Sequence, residues 1–159
     1  MNPSMIRPFH VERDLASCSR MLSTSEPWMT LGIDESEAAR ILQLPHHHNH
    51  VAVSHKDEPL GLLSLYLEGT FNGYIKLLCV AESARGQGLG AQLLRFAEDT
   101  IFPNSPNVFL CVSTFNTAAQ RFYENQGYSL VGELKDFLVQ GHGELLMRKT
   151  KGPIRGWKS

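Results

Sequence analysis

Three glycines at alternate positions form the most informative turn in the sequence. Gly86, Gly88 and Gly90 follow Arg85 and lie between a strand-like apolar run and a helix-like one. Glycines leave backbone N–H groups uncovered, and the N-terminus of a helix offers unpaired donors with a partial positive charge. Arg85 adds a full charge and forked donors. The pattern predicts a phosphate site; a flexible turn beside a solvated arginine is the structural alternative.

Two other phosphate-binding motifs fit this turn poorly. A Walker P-loop ends in Gly-Lys followed by Ser or Thr, and the stretch has no such ending. Gly86, Gly88 and Ala91 fit the spacing of a dinucleotide-binding fingerprint. That motif, however, begins directly after its strand, and an acidic residue follows the next strand. Here five residues intervene, and the next predicted strand is followed by Ser113 and Thr114.

A second segment with candidate chemistry lies downstream, where residues 116–128 read Asn-Thr-Ala-Ala-Gln-Arg-Phe-Tyr-Glu-Asn-Gln-Gly-Tyr. Asn116 suits the N-cap of a short helix, and Gly127 suits the position just after its end. Phe122 and Tyr123 taken alone would be core residues, because aromatic pairs on short helices usually pack inward.

Together the two motifs resemble those of the GCN5-related N-acetyltransferase (GNAT) family, which has Arg-x-x-Gly-x-Gly in the turn and Asn-x-x-Ala-x-x-Phe-Tyr-x-x-x-Gly in the later segment. The resemblance implies a GNAT-like α/β fold, with a mixed, largely antiparallel sheet and helices on both faces. It also implies transfer of an acetyl group from acetyl-CoA to a primary amine. A non-catalytic acyl-CoA-binding or sensing module on the same fold and a structural protein that binds no coenzyme A are the alternatives.

The resemblance also implies roles for particular residues. The glycine turn would wrap the pyrophosphate of coenzyme A, the end of the preceding strand would pair its backbone with the pantetheine arm, and Asn116 would bind the same arm. The implied cofactor-binding residues are Leu78, Cys79, Val80, Arg85, Gly86, Gln87, Gly88, Leu89, Gly90, Ala91, Asn116 and Tyr123.

Tyr123 is the predicted general acid. A phenol with a pKa of about 10 stays protonated at neutral pH and can protonate a departing thiolate whose parent thiol has a pKa of about 8.5. A backbone N–H near Leu78–Val80 could hold the thioester oxygen. Neither Ser83 nor Cys79 has a neighbouring His or acid in the sequence to mark it as a nucleophile, which favours direct attack in a ternary complex.

The sequence does not identify a proton acceptor for the amine. The strand predicted at residues 74–80 contains no acid, although many GNAT relatives place a Glu there. The candidate substitutes are Glu26, Glu68, Glu133 and His142, and water-mediated proton loss is equally open. The acceptor, a small-molecule or peptide amine, is expected beside Glu26 and Trp28 and near residues 137–143.

Hydrophobic periodicity and turn residues predict the elements that position these groups. Helices are expected at about residues 12–23, 34–42 and 88–101 and after Asn116; strands are expected at 51–54, 60–67, 74–80, 108–112, 128–134 and 144–149. Asn72-Gly73 predicts a hairpin that makes strand 74–80 antiparallel to its predecessor. The helix between strands 74–80 and 108–112 makes those two parallel.

The length of 159 residues fits a single domain, with acceptor elements at about 1–50, a cofactor core at about 75–130 and a basic tail at about 150–159. A formal charge of −1 provides no global field for nucleic acid. The apolar runs are far shorter than a membrane span of about 20 residues. Without a signal-like N-terminus, the expected location is the cytoplasm. A homodimer remains open.

Three further features are interpreted as structural. Cys18, Cys79 and Cys111 lie in apolar runs without a C-x-x-C pair and are expected in the core. The histidines His46, His47, His48 and His50 are expected in a solvated loop, rather than in a zinc site, because no carboxylate or thiolate accompanies them. The basic residues between Arg148 and Lys158 are expected to be solvated, with contact to an anion as the alternative.

Overall fold

The computed structural model describes residues 5–158 and contains one extended sheet with helices packed on it. The strands are β1 (Met5–Pro8), β2 (His47–Val53), β3 (Pro59–Tyr66), β4 (Tyr74–Val80), β5 (Asn107–Ser113), β6 (Ser129–Leu134) and β7 (Glu144–Thr150). The helices are α1 (Val11–Ser23), α2 (Glu35–Leu42), α3 (Leu89–Ile101) and α4 (Thr117–Asn125), and a short 3-10 turn covers Glu82–Ala84.

The strand order is β1-β2-β3-β4-β5-β7-β6, and each neighbouring pair is antiparallel except β4 and β5. The helical crossover through α3 makes β4 and β5 parallel, as predicted. Apolar stripes on α1 and α2 cover one face of the sheet, around Leu22, Leu42 and Leu62. The opposite face packs against α3, around Leu63 and Leu93. The predicted mixed sheet with helices on both faces is therefore confirmed.

The parallel pair β4–β5 separates soon after it begins. Only Tyr74 and Ile75 of β4 have partners on β5, at Phe109 and Leu110. Immediately beyond, Lys76 is an extra residue in the ladder with β3, because Ile75 and Leu77 pair with consecutive β3 residues. A bulge of this kind bends its strand and increases the local twist. The carboxyl-terminal half of β4 thus stands apart from β5, and the gap opens toward the glycine turn.

The Asn72-Gly73 signal predicted the antiparallel pairing correctly but misplaced the turn. Strands β3 and β4 end and begin at Tyr66 and Tyr74, so residues 67–73 form a longer loop. A Cβ on Gly73 would lie 2.5 Å from Ile101 Cγ2 and 2.7 Å from the Asn107 carbonyl oxygen. This glycine is therefore required by the close approach of α3 and β5, in addition to its positive φ of 89°.

Strand β2 corrects the expectation for the histidine cluster. It begins at His47, four residues before the predicted strand, so His47, His48 and His50 lie in the sheet and not in a solvated loop. His50 packs on Phe96 of α3 with 4.9 Å between ring centroids. Burial lowers the pKa of both His47 and His50. The sequence interpretation also missed β1, the edge strand that pairs with β2.

The basic C-terminal segment is more closely attached than predicted. Lys149 lies in β7 and pairs with Glu98 of α3 at 2.8 Å. The Lys151 ammonium lies 4.0 Å from the centroid of the Phe102 ring. Strand β7 pairs with β5, and this position brings the start of the basic C-terminal segment to the end of α3.

An ion pair between β1 and α1 leads to the first prediction. Asp14 is 1% exposed and accepts hydrogen bonds from Arg7 Nη1 and Nη2 at 2.8 and 2.9 Å. We expect Asp14→Asn to lower the free energy of unfolding at pH 7 by about 2 kcal/mol. The loss is smaller than for an arginine left without any carboxylate, because Arg7 still pairs with Asp57. The matched control is Asp99→Asn on the exposed surface of α3.

The stability difference for Asp14→Asn should depend on pH. Burial would raise the pKa of Asp14, but hydrogen bonds from Arg7 and the His10 N–H outweigh burial, and the net pKa is lowered. Its stabilisation is therefore present above the ordinary aspartate pKa of about 3.9 and is lost as pH falls through the folded-state value. Urea unfolding at pH 7 and pH 3 measures this; an equal difference at both pH values would contradict the assignment.

Candidate active site

A cleft of about 1310 Å³ lies where β4 and β5 separate. Residues 74–80 of β4 and 110–113 of β5 form its floor. The segment after α1, the start of α4 and residues 137–139 contribute walls, and the glycine turn borders one end. The cleft therefore brings together residues as far apart in sequence as Thr24 and Glu144.

The glycine turn has the geometry of an anion site. Gly86 and Gly88 have φ values of 72° and 81°, and a Cβ on either would meet nothing within 4 Å. Gly88 is the N-cap of α3 and supplies no side-chain cap. Within residues 5–158, the six backbone N–H groups from Gly86 to Ala91 have no hydrogen-bond acceptor. A row of uncovered donors at a helix N-terminus is suited to phosphate oxygens.

Side chains in the turn contribute unequally. Gly86 and Gly90 line the cleft, whereas Leu89 is buried and can reach a ligand only through its backbone. Gln87 hydrogen-bonds the Ser83 carbonyl through Nε2 at 3.1 Å. Gly88 and the buried Leu89 can therefore contribute only backbone groups, whereas the exposed Gln87 side chain keeps its Oε1 and a second amide hydrogen.

Arg85 connects the turn to two other parts of the cleft. Its Nε donates to the Val80 carbonyl at 3.1 Å, and its Nη2 donates to Ser25 Oγ at 3.0 Å. Ser25 is buried in the segment that follows α1. The arginine side chain is exposed, lines the cleft and keeps further donors for a ligand.

The free edge of β4 presents particular backbone groups to the gap. The N–H of Ala81 donates to a β3 carbonyl at 2.9 Å. Backbone groups of successive residues point to opposite edges of a strand. Those of Leu78 and Val80 therefore point toward the gap, while those of Cys79 point toward β3. The pairing predicted for three residues is geometrically open to Leu78 and Val80 but not to Cys79, because β3 occupies that edge.

Tyr123 comes from α4 and is 8% exposed, with its side chain at the cleft. Its ring packs edge-to-face against Phe122 and Tyr128, with centroids 5.1 and 5.8 Å apart. No group in the described chain hydrogen-bonds its hydroxyl. Burial raises the pKa of Tyr123, and proximity to Cys79 raises it further. The phenol is thus held protonated at neutral pH, with its hydroxyl free for a ligand.

Asn116 has a structural role that the predicted helix cap anticipated. Its Oδ1 accepts from the Ala119 N–H at 3.2 Å and caps α4. Asn116 also lines the cleft, so its side-chain NH₂ remains available for a ligand. Gly127, with φ of 89°, lies one residue beyond the C-cap, as predicted.

The expected acceptor residues also line the cleft. Glu26 and Trp28 line it, and so do Phe137 and Leu138 from the loop before β7. Glu26 is already engaged, since its carboxylate accepts from the Thr30 hydroxyl at 2.8 Å and from the Thr30 N–H at 3.2 Å. The structure therefore provides a largely apolar wall where an acceptor was expected.

Three of the four candidate bases do not line the cleft. Glu68 pairs with His46 at 3.2 Å in the loop after β3. Glu133 lies on β6 beside Gly143, and His142 packs on Phe115 with 5.3 Å between ring centroids. Of this set, Glu26 alone is at the cleft among the residues described.

The sequence interpretation missed Glu144, the first residue of β7. It lines the cleft, is 3% exposed and accepts a hydrogen bond from Ser113 Oγ at 2.5 Å. Burial raises the pKa of Glu144, opposed by the Ser113 hydrogen bond and by the charges of Lys76 and His142. An acid directly before the apolar run Leu145–Met147 was the available signal, but only the antiparallel register of β5 and β7 places it here.

Neither a metal cluster nor a membrane-spanning helix occurs in the part of the chain that the structure describes. Residues 5–158 contain no group of three or more His, Cys, Asp or Glu side chains arranged to hold a metal. The helices of the same region include none that is long and apolar enough to span a membrane.

The class of protein follows from this fold and cleft together with a family match. The model of the acetyltransferase (GNAT) family matches residues 13–128. The chain therefore belongs to the GNAT acetyltransferase family, which confirms the resemblance carried by the two sequence motifs.

Two curated relatives match part of the chain. The chloroplastic GCN5-related N-acetyltransferase 6 of Arabidopsis thaliana is 42% identical over 60 residues, 37% of this chain and 21% of that protein. An uncharacterized N-acetyltransferase of Methanocaldococcus jannaschii is 34% identical over 87 residues, 54% of this chain and 56% of that protein. Each match spans less than two thirds of the relative's length.

A solved structure shares the whole architecture. The crystal structure of an aminoglycoside 6′-N-acetyltransferase complexed with coenzyme A has a TM-score of 0.72 and 19% sequence identity, covering 94% of this chain and 98% of that one. At this identity the likeness establishes the fold, and it agrees with the predicted GNAT-like sheet.

Proposed function

We propose that this protein transfers the acetyl group of acetyl-CoA to a primary amine by direct attack in a ternary complex. The observation that carries the proposal is that parts of three features line one cleft: Gly86 and Gly90 from the row of uncovered N–H groups, the free edge of β4, and the side chain of Tyr123. The reaction converts an ammonium and a thioester into an amide, a thiol and one proton, with a carbon–nitrogen bond formed and a carbon–sulfur bond broken.

The residues of the turn and of β4 suit the two ends of coenzyme A. The N–H groups from Gly86 to Ala91 and the charge of Arg85 would hold the pyrophosphate. Leu78 and Val80 would donate and accept backbone hydrogen bonds along the extended pantetheine arm, as an added strand does. One of their N–H groups is the candidate donor to the thioester oxygen, and the Asn116 amide would steady the arm.

Tyr123 would act as the general acid by giving its hydroxyl proton to the departing sulfur. The property that supports this role is that no other group in residues 5–158 hydrogen-bonds its hydroxyl; the raised pKa means only that the phenol is protonated before the reaction. Burial raises the pKa of Cys79 to about 11. Cys79 is therefore a thiol at neutral pH, and a thiol is a poor nucleophile, which favours direct transfer over an acyl-enzyme.

Isothermal titration with coenzyme A tests the cofactor assignment. We expect saturable binding by the wild-type protein and about tenfold weaker binding by Arg85→Ala, because an exposed charge-assisted contact to phosphate is lost. Arg121→Ala on the exposed surface of α4 is the matched control and should bind normally. No heat with the wild-type protein would contradict the proposed function.

A further inference from the structure

One part of the cleft is lined by the segments that follow α1 and α2 and by the loop before β7, and we call it the acceptor half. Several large apolar side chains are exposed there. Met29, Leu44, Phe137 and Leu138 are 46–56% exposed, and all four line this one cleft. Leu44 follows α2, Met29 follows α1, and the other two precede β7. Convergence of exposed apolar side chains from three separate segments is typical of a ligand groove.

Four carboxylates line the cleft; two of them are engaged, and Glu82 and Glu144 have no cationic partner among the described residues. Glu26 is hydrogen-bonded to Thr30, and Glu37 pairs with Arg40 at 3.4 Å. Lys76, at the bulge of β4, adds a positive charge to the cleft. A ligand with several ammonium groups would find Lys76 repulsive and few free carboxylates to pair with.

Glu144 differs from the other carboxylates because it is buried at the floor of the groove. Its Oε1 accepts from Ser113, and no group in residues 5–158 hydrogen-bonds its Oε2. A carboxyl group that is only 3% exposed, with one oxygen unpartnered among the described residues and its side chain at the cleft, is poised to receive one donor.

We propose that Glu144 binds the ammonium of the acceptor and takes its proton, and that the acceptor is a primary monoamine with an apolar body lying on the wall formed by Met29, Leu44, Phe137 and Leu138. This inference rests on the proposed acetyl transfer. The ammonium proton passes to Glu144 and then to solvent; the second proton lost by the nitrogen replaces the one that Tyr123 gives to sulfur.

The surroundings of Glu144 are consistent with a proton acceptor. Burial raises its pKa, which makes the carboxylate a stronger proton acceptor. The titratable and polar groups that face it are Ser113 and Cys111 from β5, Tyr74 and Lys76 from β4, and His142 from the preceding loop.

An acceptor panel tests the substrate class. Leucinamide represents an aminoacyl α-amine and 2-phenylethylamine a free arylalkylamine; spermidine and kanamycin represent polycations. We expect kcat/KM for leucinamide or for 2-phenylethylamine to be about a hundredfold higher than kcat/KM for either polycation. Mass spectrometry of the acetylated product measures these rates. Which of the two is preferred identifies the source of the amine. Equal or faster turnover of a polycation would overturn the inference.

Glu144→Gln tests the residue, with Glu124→Gln on the exposed surface of α4 as the matched control. Gln keeps the Ser113 hydrogen bond but cannot take the proton. We expect kcat/KM for leucinamide to fall about a hundredfold at pH 6.5 and less than about tenfold at pH 9, where an α-amine with a pKa of about 7.8 is already neutral. An equal loss at both pH values would mean a structural role and would overturn the assignment.

Binding supplies a readout that does not require turnover. Trp28 lines the cleft, so leucinamide binding can be followed by tryptophan fluorescence. We expect Phe137→Ala and Glu144→Gln each to weaken binding about tenfold relative to wild type. Absence of leucinamide and 2-phenylethylamine binding to a protein that binds coenzyme A would overturn this inference alone; failure to bind coenzyme A would overturn the proposed function.

Discussion

Replacing Tyr123 with Phe is expected to lower kcat about a thousandfold while leaving coenzyme A affinity nearly unchanged. The substitution removes one hydroxyl, and general acid catalysis by a positioned side chain typically contributes about 10²–10⁴-fold. A thousandfold loss corresponds to about 4 kcal/mol of barrier. Because the Tyr123 hydroxyl has no hydrogen-bond partner among the described residues, its removal should cost little stability. Steady-state kinetics with a good acceptor, together with calorimetric titration of coenzyme A, measures both effects.

Tyr128→Phe provides the matched control. Tyr128 is also buried on this face of the sheet, 5.8 Å from Tyr123 between ring centroids, but its hydroxyl donates to Glu98 at 3.2 Å. We expect this variant to lose about 1 kcal/mol of stability and to keep its turnover. Full turnover by Tyr123→Phe would show that another group protonates the sulfur. If the wild-type protein bound coenzyme A but acetylated no amine, the alternative of a non-catalytic acyl-CoA-binding module would be favoured.

Gly88→Val is expected to weaken coenzyme A binding about a thousandfold. The φ of 81° at this position is costly for a residue with a Cβ, and the Cβ would project into the open space that borders the uncovered N–H row. Loss of two charge-assisted hydrogen bonds at about 2 kcal/mol each gives the stated factor. Calorimetric titration measures the dissociation constant.

Gly156→Val separates backbone strain from loss of the site. Gly156 has φ of 85°, and a Cβ added there, as at Gly88, would have no neighbour within 4 Å. Gly156 lies in the C-terminal segment, outside the turn between β4 and α3. The valine variant should carry a similar local strain and bind coenzyme A normally. Equal binding by both valine variants would show that the turn does not hold the pyrophosphate.

Local signals were sufficient to predict most of the elements. Asn116 and Gly127 predicted both ends of α4, and the apolar stripe after Gly88 predicted α3, because caps and helical periodicity act over a few residues. The histidines of β2 were misplaced for the opposite reason. His47 and His48 have no strong strand preference, and pairing with β3 places them in the sheet.

The features of the candidate site fall into the same two groups: those set by neighbours along the chain and those set by the tertiary structure. The amino-acid sequence by itself determined the glycine turn, the cap of α4 and the position of Tyr123 on that helix, since each depends on neighbours along the chain. Only the tertiary structure decided which edge of β4 is free, which of the candidate carboxylates reach the cleft, and that Glu144 lies at its floor. Those properties depend on strand order, on the separation of β4 from β5 and on the register of β5 with β7, which join residues far apart in sequence.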